Sequence, residues 1–126
     1  MAKRKPMSDA AFDVLPFRAQ VALFHDLEEM ARYYEKVLGI HDHGFHERTS
    51  NGMASKHADK EGVHWFSLYL PKAAAAGTIV HECSHVVDFV LDHHGVPLNA
   101  ENTEIRAYML ERLFEDVAEH FRQFSD

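Results

Sequence analysis

Thr78-Ile79-Val80-His81-Glu82-Cys83-Ser84-His85-Val86-Val87-Asp88-Phe89-Val90-Leu91-Asp92-His93-His94 is the stretch whose reading decides the fold of this chain. With each residue taken as a step of about 100° around a helix, Ile79, Val80, Cys83, Val86, Val87, Val90 and Leu91 fall on one side. His81, Glu82 and His85 fall on the other. Histidines four apart stand one turn above each other, so both imidazoles can reach one metal ion. The glutamate between them is close enough to hold a metal-activated water and take its proton. A chance H-E-x-x-H in a chain with 11 histidines has no reason to be phased against an apolar face in this way. The segment is therefore predicted as a helix that buries one face and presents a candidate metal site on the opposite one.

Outward from this stretch, the punctuation agrees. Pro71 suits a first helical position, Lys72-Ala73-Ala74-Ala75-Ala76 leads in, and Gly77 permits a slight bend or a close backbone approach. Gly95 and Pro97 stop the helix, with His93 and His94 placed favourably against its dipole. A second helix starts near Asn99 or Asn102. Its apolar stripe is Ile105, Met109, Leu110, Leu113, Phe114, Val117, Ala118 and Phe121. Arg106 falls within that stripe and either pairs with a carboxylate such as Asp88 or snorkels outward.

A catalytic zinc site takes three protein ligands and leaves a position for water. His81 and His85 are two. A straight helix cannot curl a later residue back, so Asp88 and Asp92 are weak as the third; Asp88 is a candidate to orient a ligand imidazole. Glu104, in the first turns of the next helix, is the better candidate. Ala107, one turn on, permits close packing there, and Tyr108 shares the face of Glu104 and can hydrogen-bond an oxyanion, as can His64. Glu101, then His93 or His94, are the alternatives for the third ligand.

Towards the N-terminus, residues 1–11 read as a loose polar tail. Val21 to Phe24 suits a buried strand. Asp26 caps a helix carrying Leu27, Met30, Ala31, Tyr34, Val37 and Leu38, which Gly39 ends. Residues 41–62 are polar, with turns at Ser50-Asn51-Gly52 and Glu61-Gly62 and a short strand at Met53–His57. The histidines His41, His43 and His46 read as a solvated loop in preference to a second metal cluster, because no helix or strand phase fixes them. Val63–Leu70 is the best strand.

At 126 residues the chain is expected to be one domain, 1–126, with a single modest core. A net charge of -7 argues against general nucleic-acid binding. The lone cysteine, Cys83, excludes an intrachain disulfide and reads as a buried thiol. No apolar run reaches membrane-spanning length and the N-terminus lacks a signal-peptide core, so a cytoplasmic protein without membrane association is expected.

The segment His81-Glu82-Cys83-Ser84-His85 followed by Glu104-Ile105-Arg106-Ala107 resembles the gluzincin pattern, H-E-x-x-H with a downstream E-x-x-A/S. The small size resembles the minimal zincins, including intracellular metallopeptidases of the ImmA/IrrE type and small zincin-like proteins of phages and prophages. The resemblance covers residues 78–115 well and residues 1–70 only in coarse order. It implies an α+β fold in which a small, mostly antiparallel sheet packs on an N-terminal helix, the H-E-x-x-H helix and a C-terminal helix. It also implies Zn2+ at His81, His85 and Glu104, Glu82 as general base, and hydrolysis of a peptide bond in a specific protein or peptide substrate. A zincin-fold protein that binds zinc or a partner without turnover is the alternative. Tyr108 departs from the aspartate that larger gluzincins carry at that point. Leu91 and Asp88 exclude the H-E-x-x-H-x-x-G-x-x-H class.

Overall fold

The computed structural model describes residues 7–47 and 51–125. It is an α+β fold. Four strands, β1 (Ala10–Asp13), β2 (Gln20–Phe24), β3 (Met53–Ala58) and β4 (His64–Tyr69), form one sheet in the order β1-β2-β4-β3. The β1–β2 and β4–β3 pairs are antiparallel and the central β2–β4 pair is parallel, with Val21 beside Phe66 and Leu23 beside Leu68. Three helices pack on it: α1 (Leu27–Tyr33), α2 (Ala76–His93) and α3 (Thr103–Phe121).

Period-two alternation gives the sheet two buried faces. Val21, Leu23, Phe66 and Leu68 face α2 and α3, meeting Ile79, Cys83, Val86, Val87, Val90 and Leu91 from α2 and Met109, Leu113, Val117 and Phe121 from α3. Phe24 and Met53 face the other way, onto Met30, Ala31 and Tyr34 of the N-terminal helix. That helix starts where Asp26 accepts a hydrogen bond from the Glu29 amide. Its last turn, Tyr34–Leu38, widens to a π-helical turn before Gly39 ends it at φ 70°. The widened turn carries the Tyr34 phenol into the sheet, where it bridges Ser67 Oγ at 2.5 Å and Ser55 Oγ at 3.3 Å. Burial, only partly offset by those two hydroxyls, pushes its pKa up.

Two expectations need correction. Residues 1–6 of the expected tail lie outside the described residues, but residues 10 and 11 belong to β1, and the Asp9 amide donates to Leu23 O. Ala10-Ala11-Phe12-Asp13 is too short to show a period; pairing with β2 makes it a strand. The second correction is the start of α2, which lies at Ala76 and not at Pro71. Pro71–Ala74 closes a turn through Ala74 N to Pro71 O, and Ala75 is extended. Gly77 thus sits in the first helical turn. Gly95, at φ 72°, ends α2 as expected.

A pair of imidazoles ties the end of α3 to the sheet. His25 Nδ1–H donates to Leu70 O at 2.8 Å, which leaves its Nε2 to accept from His120 Nε2–H at 3.0 Å. Burial, with His25 alongside, holds the pKa of His120 below the usual histidine value; Asp9 opposes this weakly. A folded-state pKa lowered in this way stabilises the fold above the unfolded value, about 6.5, and the contribution is lost as pH falls through the folded value. Wild type is therefore expected to lose more thermal stability between pH 7 and pH 5 than His120→Gln, as read by circular-dichroism melts. Equal losses would show that this pair is not acid-sensitive.

Candidate metal site on α2

Burying the apolar face of α2 turns His81 and His85 outward. Both are exposed, and their Nε2 atoms are 3.3 Å apart. Two imidazole nitrogens on one tetrahedral zinc, each at ~2.0–2.1 Å, stand roughly 3.3–3.4 Å apart, so the pair fits this ion. One carboxylate oxygen of Glu82 joins them: the three ligand atoms lie within 4.8 Å of one another. Glu82 itself is only 9 % exposed. Its position on the helix, one step round from His81, points it at the start of β3 and away from open solvent. Val80 goes the other way; expected on the apolar side, it is 37 % exposed because it lies at that face's margin.

β3 is an edge strand, paired only with β4 among the described residues. It runs beside α2 in the same direction. Gly52, just before it, lies against Thr78 and Glu82, and Lys56 near its end reaches Asp92 at 3.6 Å and the ring of Phe89. Asn51, Gly52, Gly77, Thr78, His81 and Glu82 enclose a cleft of about 380 Å3. Asn51 and Gly52 were legible in the sequence only as a turn; a glycine directly before a strand also signals close backbone approach. A Cβ at Gly52 would stand 2.9 Å from Thr78 Cγ2 and 3.2 Å from Glu82 Cγ. Gly52→Ala is therefore expected to cost about 1–3 kcal/mol through overpacking, measured by urea denaturation. Unchanged stability would mean the contact relaxes freely.

The structure does not bring Glu104 or Tyr108 into the His81–Glu82–His85 group. Arg106 is the residue of α3 that hydrogen-bonds to α2 among the described residues: its Nε donates to Asp88 Oδ1 at 2.6 Å and its Nη2 to Ser84 Oγ at 2.5 Å. Asp88, foremost among its partners, raises the Arg106 pKa. Glu104 is exposed and stands about 160° around the helix from Arg106. Tyr108, 66 % exposed, lines a groove with Leu15 and Pro16 on the other flank of α3. Glu101 is exposed on the turn before α3.

Three further expectations change. Asp88 does not orient a ligand imidazole: both its oxygens accept from Arg106, and His81 and His85 are within hydrogen-bonding distance of each other, not of Asp88. His64 packs on His93, with ring centroids 4.4 Å apart, at the far end of α2. Twelve residues of helix, ~18 Å, separate that end from His81, which removes His64, His93 and His94 from the site. Cys83 is fully buried, and burial, then the Glu82 charge, pushes its thiol up to about 12, so it is an inert core residue as expected.

The loop histidines are more ordered than their sequence suggested. The His43 side chain is buried; its Nδ1 accepts from the Phe45 amide at 2.9 Å, which places the proton on Nε2, donated to Glu35 at 2.7 Å. His46 puts Nδ1 on Glu28 at 3.0 Å and Nε2 on Glu35 at 2.8 Å. Glu35, His43 and His46 are thus gathered closely enough to hold a metal. The protonated His43 Nε2 has no lone pair for one, so the group is a hydrogen-bonded clasp. The fixing came from glutamates on the preceding helix, which the loop's own sequence does not reveal.

Both His46 nitrogens face carboxylates and only the imidazolium donates to both. Its pKa is accordingly raised, by Glu35 and then Glu28, while His43 and His46 lower that of Glu35. A raised folded pKa stabilises below about 6.5, and the effect is lost as pH climbs through the folded value. Amide exchange at residues 45–47 is expected to quicken, relative to intrinsic rates, between pH 6 and pH 8. His46→Gln should abolish the pH dependence; a profile unchanged in that variant would refute the clasp.

No family model, curated protein or solved structure matches the chain.

Proposed function

We propose that the chain is a zinc-dependent metallopeptidase of the gluzincin kind, acting on a peptide or protein segment. The observation that carries this reading is the pairing of His81 and His85 at zinc-compatible spacing with a shielded carboxylate, Glu82, between them and an open strand edge beside them. A purely structural zinc site is usually closed by four protein ligands and has no use for a base. His81 and His85 would hold the ion, with Glu104 the third ligand proposed from the sequence pattern. Bound there, zinc supplies the Lewis acidity that makes water a nucleophile near neutral pH.

The chain's own residues do the rest. The free edge of β3 offers backbone amides and carbonyls to an extended peptide, which would lie along α2. Strand addition positions the scissile bond without demanding a particular side-chain sequence. Glu82, partly shielded by Gly52 and Thr78, takes a proton from the attacking water on a carboxylate oxygen. It then gives that proton to the leaving amine.

A cytoplasmic setting and a single specific protein substrate belong to the same proposal. Among the described residues, no helix is long and apolar enough to cross a membrane. The competing reading, a zincin-like protein that binds zinc or a partner without turnover, is favoured by the one observation that Asp88 pairs with Arg106 and, among the described residues, no carboxylate hydrogen-bonds His81 or His85.

Elemental analysis of tag-free protein is expected to give about one zinc per chain, lost in His81→Ala and Glu104→Ala. Zinc kept in Glu104→Ala would remove Glu104 from the ligand set; no zinc in wild type after reconstitution would end the metal reading. Glu82→Gln should keep zinc and lower peptide hydrolysis at least 100-fold, since general-base catalysis contributes roughly 10²–10⁴-fold. Activity intact in that variant would overturn the mechanism.

A further inference from the structure

The flank of α2 that faces β3 carries one continuous stripe. Thr78, Glu82, His85, Phe89 and Asp92 follow each other at spacings of four and three, so they share a face of the helix. Contacts to β3 mark both ends of the stripe. Gly52 lies against Thr78 and Glu82, and Lys56 lies against Phe89 and Asp92. His85 stands between them, with the half-buried Phe89 ring stacked one turn beyond it at 6.3 Å between centroids. This stripe is the floor under a chain that adds to the edge of β3, and it extends past the His81–His85 pair to Phe89 and Asp92.

The register of β3 fixes which of its side chains share that floor. Ala54, Lys56 and Ala58 pair with Leu68, Phe66 and His64 of β4, and Leu68 and Phe66 face α2. Met53 and Ser55 turn the other way, to the packing around Tyr34. Lys56 is thus the cation that β3 directs towards α2. Its ammonium sits 5.7 Å from the centroid of the Phe89 ring and 3.6 Å from Asp92. The Asp92 side chain is 74 % exposed, so this ion pair is screened by solvent and leaves Lys56 available to a better-enclosed carboxylate.

A strand added antiparallel to β3 places one side chain directly opposite Lys56, with Cβ atoms about 4.5–5.5 Å apart. An aspartate or glutamate there meets the ammonium across the strands and lays its methylenes on the Phe89 ring. A lysine or arginine meets like charge. Phe89 is four residues, ~6 Å of helix, beyond His85, and a strand advances about 3.3 Å per residue. The opposed residue therefore stands about two positions from the one over the metal. Antiparallel addition, the slightly more stable kind, puts it on the N-terminal side of the cleaved bond. The chain is acidic overall, with a net charge of -7, so this preference is local to Lys56 and not a general attraction. Resting on the metallopeptidase reading, we propose that Lys56 selects the substrate: an extended peptide with an acidic side chain about two residues before the scissile bond, held between Lys56 and Phe89.

A lysine on an edge strand also discourages edge-to-edge aggregation, a role that any charge fills. Lys56→Glu keeps a charge there, so the two roles separate. Zinc-loaded protein would be given a random decapeptide library and the cut sites read by mass spectrometry. Two fluorescein-labelled peptides would then be made from the best-cut sequence, differing only in Glu or Lys two residues before the cut. Titrated by anisotropy against zinc-loaded Glu82→Gln, they read binding without turnover. The expected result is acid enriched at that position and binding of the Glu peptide tighter by about fivefold or more. Adding Lys56→Glu should reverse the preference, and Lys56→Met, which keeps the side-chain length, should abolish it. Cleavage without a charge preference, or a preference unchanged by Lys56→Glu, would overturn this inference and leave the peptidase reading standing. No cleavage of any library peptide would overturn the peptidase reading and this inference with it.

Discussion

Everything in this structure depends on the apolar face of α2 being pressed against the sheet. Ile79, Cys83, Val86, Val87, Val90 and Leu91 meet Val21, Leu23, Phe66 and Leu68 there, and none of these is more than 5 % exposed. Burial of each large aliphatic side chain contributes about 1.5–3 kcal/mol, so this contact outweighs any polar interaction on the same helix. It leaves α2 no freedom to rotate. His81 and His85 face outward because six apolar positions face in, and their 3.3 Å approach follows from the one-turn spacing.

Around that fixed helix, the neighbours decide what its exposed flank can do. On one side the Arg106 guanidinium grips Asp88 and Ser84 and sets α3 against α2. A partly buried, bidentate pair of this kind fixes register more than it adds stability. On the other side Gly52 brings the backbone of the strand edge onto Glu82 with no side chain between. The carboxylate is shielded on the flank where a peptide would lie and the imidazoles are open to solvent. The two flanks therefore differ in kind, one ionic, the other a backbone edge unpaired among the described residues.

The ends of α2 carry different chemistry as well. Its first half bears the His81–Glu82–His85 group, and its last turn, capped by Gly95, bears His93, packed on His64. Histidine is used three further ways elsewhere: as a neutral hydrogen-bond relay at His25 and His120, as a buried donor at His43, and as a bridge between two carboxylates at His46. The direction of each pKa shift follows from these partners. Burial among rings lowers it, and flanking carboxylates raise it.

The sequence by itself determined α2, its buried and exposed faces, the H-E-x-x-H pair, the capping of α1 by Asp26, the strand β4 and the stop at Gly95. Each is local: a helical or strand period, or a capping residue, written within a few positions. It also anticipated the Arg106–Asp88 pair as one of two options, because an arginine in an apolar stripe must find a carboxylate or reach water. Only the tertiary structure decided that Ala10–Asp13 is a strand, that Gly52 lies on Glu82, that His43 and His46 are clasped by Glu28 and Glu35, and that His64 lies at the wrong end of α2 to meet the motif. Those contacts join residues 7 to 30 positions apart. They depend on how strands pair and on which way helices lie across them, and neither leaves a period in the chain.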